Sequence, residues 1–330
     1  MMKDVKEETQ FQNGAETASA QKSPVHRYEK NFQVREDYLS SLPDVQNADK
    51  NTISGANVPI MQVGMHNFKL PLKFLTKDCG VREAEASVTA TVSLAADSKG
   101  INMSRIMRVF YLFADRVFTP DLLEEILVKM KEQLKTSRAR IKIDFNYPIL
   151  QTSLRSNLKA WQYYKCSYEG TMDDLDIFRK FIVFDFVYSS ACPCSSELSE
   201  HARRTRNVYC VPHSQRSKAR ISAEIEPSAH VSIEDMHAIC LESLHTETQV
   251  MVRREDEQAF AELNGAYVKF IEDAARLLYA GFNSDKRIKD FEIACIHLES
   301  LHSHDAVGVI CKGLPGGFKA DFKDFEDLIC

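Results

Sequence analysis

Apolar and small polar residues alternate from Met61 to Phe68 and from Ala86 to Leu94, the period-two pattern of strands with one buried face. Lys69 to Thr76 reads as an irregular edge strand, because Pro71 removes a ladder hydrogen bond. The period then changes. Ile106, Val109, Phe110, Phe113 and Val117 recur at helical spacing. Thr119-Pro120-Asp121 opens a second helix at Pro120, a favoured first position, with Leu123, Ile126, Leu127, Met130 and Leu134 along its apolar stripe. Strands resume at Ala139–Tyr147, Ser156–Glu169 and Phe181–Ser189.

The order returns in the second half. Lys218 to Glu226 alternates as a strand, and Ser232-Ile-Glu-Asp235 is a capped helix start, with helix through Thr246. Helix runs again from Asp256 to Phe282, with Asn264-Gly265 as a break inside it. Phe291–Leu298 and Ala306–Cys311 are the last strands. Strands, two helices and strands, given twice without residue-level identity, predict an α+β fold with antiparallel sheets rather than a doubly wound one. Residues 1–55 are polar and carry no sustained period. They read as a largely disordered extension, ending in a loop near Leu42-Pro43-Asp44-Val45-Gln46. Two modules are expected over 56–190 and 191–311, the second carrying the active site, followed by a tail over 312–330.

Of the 330 residues, 44% are hydrophobic and 27% charged, enough apolar material for a core without a metal or disulfide staple. The net charge of −5 argues against nucleic acid as a partner but leaves room for a small anion held by a few Arg or Lys. No run approaches the ~18 apolar residues of a membrane span. The acidic start Met1-Met-Lys-Asp-Val-Lys-Glu-Glu8 has no apolar signal region, so a cytoplasmic location is expected. Of nine cysteines, Cys166, Cys240, Cys295 and Cys311 sit singly in apolar runs, as small buried hydrophobes of a reducing compartment.

Cys192 and Cys194 differ. They follow a strand, at the start of a loop, in Ser190-Ala-Cys-Pro-Cys-Ser195. A thiolate there is a soft metal ligand or a nucleophile; the plain alternative is two thiols beside a proline turn. His213-Ser-Gln-Arg-Ser217 directly precedes the alternating strand, and a lone His is more often a hydrogen-bonded structural residue. Arg203, Arg204 and Arg206 read as a solvated basic loop. Arg253-Arg-Glu-Asp-Glu257 is a charged helix start, and Glu272 lies on a polar helix face. His297-Leu-Glu-Ser-Leu-His-Ser-His-Asp305 is the densest ligand cluster; on a strand, His302 and His304 point the same way and Glu299 the other unless the strand ends near Ser300. Cys, His and carboxylate together suit Zn, Mn or Fe. One continuous helix would separate Glu257 from Glu272 by ~22 Å, so either the helix folds back at Asn264-Gly265 or the site is shared between subunits.

These motifs in this order resemble the type IB GTP cyclohydrolase I family, with Leu42-Pro-Asp-Val-Gln46 and Ser98-Lys-Gly-Ile-Asn-Met-Ser-Arg105 as weaker matches. The resemblance implies a tunnelling fold of two ββααββ modules, assembled as a homotetrameric barrel with interfacial active sites. It implies hydrolysis of GTP to 7,8-dihydroneopterin triphosphate and formate, the first step of folate and pterin synthesis. Carried over by residue, it makes Cys192, His213, Glu257 and His302 the ligands of a divalent Mn, Zn or Fe. Cys194, Glu272 and His304 become the acid–base candidates, unranked by sequence, with Cys192 also at the reacting centre. Glu299 becomes the guanine anchor, since a carboxylate accepts from N1–H and the 2-amino group together. Ser104 and Arg105, at a predicted helix N-terminus, and Arg216 are triphosphate candidates.

The spacer between Cys194 and His213 is about nine residues longer than the bacterial-type spacer, which leaves His201 as a weaker stand-in for His213. Two alternatives stand beside this reading. One is another tunnelling-fold purine or pterin enzyme; the other is a non-catalytic scaffold whose metal only staples the modules.

Overall fold

The computed structural model describes residues 26–46, 51, 53–77 and 80–329. The chain divides into two units at Asp44/Val45. The first carries one short helix, α1 (Glu36–Ser41), and an edge-on contact of Phe32 with Tyr38. Residues 1–25, 47–50 and 52 of the expected extension lie outside the described residues.

The second unit is built on an eight-stranded antiparallel sheet whose strands lie side by side in chain order. They are β1 (Ile60–Thr76), β2 (Gly80–Leu94), β3 (Ala139–Thr152), β4 (Lys159–Met172), β5 (Phe178–Ala191), β6 (Ser214–Ile225), β7 (Ile288–His297) and β8 (Ala306–Cys311). Helices α2 (Met103–Tyr111) and α3 (Leu122–Leu134) join β2 to β3, and α4 (Pro193–Arg206) joins β5 to β6. Helices α5 (Ile233–Leu244), α6 (Arg254–Ala266) and α7 (Ile271–Ser284) join β6 to β7. With α4 and α6 set aside, each half reads ββααββ. The symmetric division falls between Met172 and Phe178, whereas residue 190 lies at the far end of β5.

Strand alternation sorts the two faces. Val88, Ile143, Ile182, Phe184, Ile221 and Ile293 are fully buried on the face covered by helices. The other face is polar, with Arg140 paired to Glu169 and Arg220 paired to Asp185. The residues expected as a tail pack on that polar face. Phe322, Phe325 and Leu328 cover Ala294 and Ile296. Buried Asp290 accepts from the backbone N–H of Gly313 and Phe318, each at 2.9 Å. A Cβ on Gly317 would stand 1.8 Å from Asp290 Oδ2, so only glycine fits that approach.

Several elements differ from the sequence expectation. Helix α2 stops at Tyr111, and Phe113 and Val117 lie beyond it; Val117 bridges to Lys73 and Phe118 N–H donates to Lys73 O. Pro71 sits inside the long edge strand β1. Helix α3 begins at Leu122, whose N–H donates to Thr119 Oγ1. The loop expected after Cys192 is α4, with Pro193 in its first turn, and the three arginines lie in its last turn. The break after α6 falls at Tyr267–Phe270, beyond Asn264-Gly265. The capped start of α5 is as read: Asp235 N–H donates to Ser232 Oγ and Ser232 N–H to Asp235 Oδ2.

One departure from regular sheet positions the site. β4 and β5 pair only from Cys166↔Phe184 to Met172↔Phe178. Above that row they splay. The segment after α5 takes the place of β4 along β5: Ser189 N–H donates to Thr246 O at 2.8 Å, and Tyr188 bridges Glu247. The wedge is filled by buried Glu247, which accepts from Tyr164 Oη and from Gln151 Nε2 and lies 2.6 Å from His237 Nε2. These bonds hold the Glu247 carboxyl below its ordinary range despite burial.

Candidate active site

The site grows from the ends of β5, β6 and β7. Register puts Ala191 opposite Ser214, Ser190 opposite Gln215, and Ser217 opposite His297. Cys192 follows β5 and caps α4; His213 precedes β6. The peptide between Ala191 and Cys192 is held at both ends. Its carbonyl accepts from Lys269 N–H at 3.1 Å, and its N–H donates to His213 O at 3.2 Å.

Alternation brings Ser190, Gln215, Ser217 and His297 to the helix-covered face. Ser190 Oγ and Ser217 Oγ are 2.8 Å apart, and Gln215 Nε2 donates to Ser190 Oγ at 2.9 Å. Gln215 also meets His213 Nδ1 through Oε1 at 3.2 Å and Glu299 Oε1 through Nε2 at 3.5 Å. Glu299 Oε2 lies 3.6 Å from His213 Nδ1 and is a buried oxygen without a hydrogen-bond partner. It stands just past the end of β7, in a loop tied down by Leu298 N–H to Arg216 O and Ser300 Oγ to Ser214 O. His302 and His304 lie in the same loop, exposed, with stacked rings 5.0 Å apart; the strand expected there has already ended at His297.

Beneath this lies a buried layer. His297 Nε2 is 3.0 Å from Tyr188 Oη, and burial together with the Lys269 charge pushes His297 down to about 4. Lys269 is 3% exposed, at the joint between α6 and α7. Its Nζ donates to Tyr267 O at 2.5 Å and Thr246 Oγ1 at 3.1 Å, and Thr246 Oγ1 donates to Ser189 O at 2.5 Å. Burial pushes Lys269 down to about 8.

Other candidates stand apart. Glu257 and Glu272 are exposed in the first turns of α6 and α7, while the neighbouring Asp256 turns inward and accepts from Arg155 and Ser156 N–H. Cys194 is exposed in the first turn of α4. Arg216 pairs with Ser189 and so alternates to the polar face. Ser104 and Arg105 do lie at the N-terminus of α2, just past β2, in the row running through Ala139, Met172 and Phe178. Cys192 follows the opposite end of β5, a strand of 14 residues, or about 45 Å. Arg105 there lines an open cavity of about 610 Å³ with Lys99, Lys135 and Arg138. Among the described residues no three His, Cys, Asp or Glu side chains gather as a metal-binding group. The thiol and imidazole at adjoining strand ends fit a divalent metal by donor type.

Ser190, Gln215, Ser217, Lys269 and Thr246 were not singled out by the sequence. Pairing register brings the first three together, and hydrogen bonds of the loops after α5 and α6 bring Thr246 and Lys269 to them.

Two ββααββ units sharing one antiparallel sheet define a tunnelling-fold protein, with its Cys–His pair at the splayed end. The family described as type I GTP cyclohydrolase FolE2 matches residues 42–308. The GTP cyclohydrolase FolE2 of Cereibacter sphaeroides is 50% identical over 286 residues, 87% of this chain and 79% of that protein. That of Paracoccus denitrificans is 49% identical over 286 residues, 87% and 88% of the two chains. The chain belongs to the type I GTP cyclohydrolase FolE2 family. Among solved structures, a uricase from Arthrobacter globiformis aligns at TM-score 0.46 and 10% identity, over 80% of this chain and 97% of that one.

Proposed function

We propose that this chain hydrolyses GTP to 7,8-dihydroneopterin triphosphate and formate, using a divalent Mn, Zn or Fe held by Cys192, His213, Glu257 and His302. The observation that carries the reading is the convergence of Cys192, His213 and the buried, unpartnered carboxylate oxygen of Glu299 at one end of the sheet. Bound there, a metal supplies the Lewis acidity that makes water a nucleophile at neutral pH.

The residues divide the remaining work. Glu299 accepts from guanine N1–H and the 2-amino group and fixes C8 at the Cys192–His213 edge. Water adds at C8, the opened ring loses formate in a second hydrolysis, and ribose rearrangement closes the pterin ring. Cys194, Glu272 and His304 are the candidates to move protons to and from the departing nitrogens. Ser104, Arg105 and Arg216 offer donors to the triphosphate. Glu257 and Glu272 are exposed, and Arg105 sits at the opposite end of the sheet. Both facts support a site completed by another copy, in a homotetramer. Among the described residues no helix is long and apolar enough to cross a membrane. A cytoplasmic enzyme at the head of folate or pterin synthesis is the setting this activity fits.

The test is incubation of metal-loaded and metal-stripped protein with GTP, following formate and the fluorescence of oxidised neopterin. Both products are expected only with metal. Neither product with Mn, Zn or Fe, from folded protein, refutes the reading.

A further inference from the structure

We infer that Gln215 is a positioning residue that couples the two halves of the site, holding His213 as the tautomer with a bare Nε2 and aiming the Glu299 carboxylate. The inference rests on the proposed function for what Nε2 and Glu299 then bind. The geometry itself concerns only this chain's side chains.

The argument is one of donors and acceptors. Gln215 is buried at 9% exposure, so its amide must be satisfied internally. One end of that amide faces Glu299 Oε1 at 3.5 Å and Ser190 Oγ at 2.9 Å. A carboxylate oxygen only accepts, so the amide nitrogen occupies that end. The amide oxygen therefore faces His213 Nδ1, 3.2 Å away. It too only accepts, so Nδ1 carries the hydrogen. A neutral imidazole has one N–H, which leaves the lone pair on Nε2. Glu299 Oε2, 3.6 Å from the same Nδ1, favours the same placement. Ser190 Oγ, which accepts from Gln215, shares a hydrogen bond with Ser217 Oγ at 2.8 Å, and this buried pair holds the amide in place. One ring thus gives its N–H to the amide that also holds the guanine anchor, and turns its lone pair toward a cation. This is the arrangement by which an outer hydrogen bond orients a metal-binding histidine.

Two substitutions separate the roles. Gln215→Leu removes both contacts. Gln215→Glu keeps an acceptor for His213 Nδ1 but sets a second carboxylate beside Glu299. Solid-state ¹⁵N NMR of histidine-labelled, metal-stripped full-length protein reads the tautomer directly, with His213 assigned by its loss in His213→Asn. The wild type is expected to show a protonated Nδ1 and a bare Nε2. Gln215→Leu is expected to populate both tautomers and to bind Zn about 10- to 100-fold more weakly. Gln215→Glu is expected to keep the tautomer and Zn affinity near wild type while raising KM for GTP about tenfold or more. A protonated Nε2 in the wild type overturns the inference without recourse to any variant, as does wild-type Zn affinity in a folded Gln215→Leu. A wild type inert toward GTP but with the Nδ1–H tautomer refutes the proposed activity and supports the positioning role; an active wild type with Nε2–H does the reverse.

Discussion

Replacing Lys269 by Met should stabilise the protein below pH 8, and the gain should vanish in alkali. Lys269 is buried, and the acceptors for its Nζ are a backbone carbonyl and a hydroxyl, with no carboxylate in hydrogen-bond reach among the described residues. Burial lowers it from 10.5 to about 8. The 2.5-unit difference corresponds to about 3 kcal/mol, at 1.36 kcal/mol per unit. The sign follows from proton counting. Between pH 8 and 10.5 the unfolded chain holds the Lys269 proton and the folded chain does not, so the wild type gains stability as pH rises through that window. Met keeps an unbranched apolar stem and carries no charge. It forfeits two hydrogen bonds, worth about 1 kcal/mol each at most once desolvation is counted, so a net gain of about 1–2 kcal/mol is expected at pH 7. The assay is urea unfolding of both proteins at equal concentration from pH 6 to 10.5, comparing midpoints at matched slopes. Removing the charge should also raise the His297 pKa from about 4, visible in an NMR titration. A stability gap that stays constant or widens between pH 8 and 10.5 would refute the reasoning.

Cys192→Ala and His302→Ala should each lose bound metal by elemental analysis; full occupancy in both would show the ligand assignment to be wrong. Arg105→Ala and Arg216→Ala should each weaken GTP binding by about tenfold through a lost charge-assisted contact, and unchanged affinity in steady-state and binding assays removes the phosphate role from that residue. Phe184→Ala, at a fully buried core position, should cost about 3–5 kcal/mol in denaturant unfolding; a loss under 1 kcal/mol would mean the β5 core collapses around the void.

Period-two and helical patterns were enough to read strands, two helices and strands given twice, because each strand buries one face and each packing helix one stripe; the ββααββ count came with the family resemblance. α4 escaped that reading for a physical reason: only Ser199 and Ala202 are buried, so the helix has no apolar stripe to display. The break after α6 was misplaced because Gly265 sits in open space and helix tolerates it. The turn is made by Lys269 N–H reaching Ala191 O and Phe270 N–H reaching Asp273, which local pattern does not encode. In the site, the residues with chemical character were visible by type and order. The hydroxyls and amide that orient them were not, since Ser190, Gln215 and Ser217 meet only through the β5–β6 register. Glu257 and Glu272 were legible as carboxylates but not as members of one centre, and both are exposed in this chain.

β6 pairs along one edge of β5 from Lys180 to Ala191, whereas the other edge has two successive neighbours: β4 up to Phe184, and the Thr246–Glu247 segment with Lys269 above it. The lower half can exchange its amides only by unzipping a sheet of eight strands. The upper part of that second edge is closed only by a short irregular segment and one side-chain clasp, so on that side it forms a smaller cooperative unit. Among the amides on that edge, protection should therefore step down from Phe184 toward Ser189, while those facing β6, Cys192 N–H to His213 O among them, stay held by the neighbouring strand.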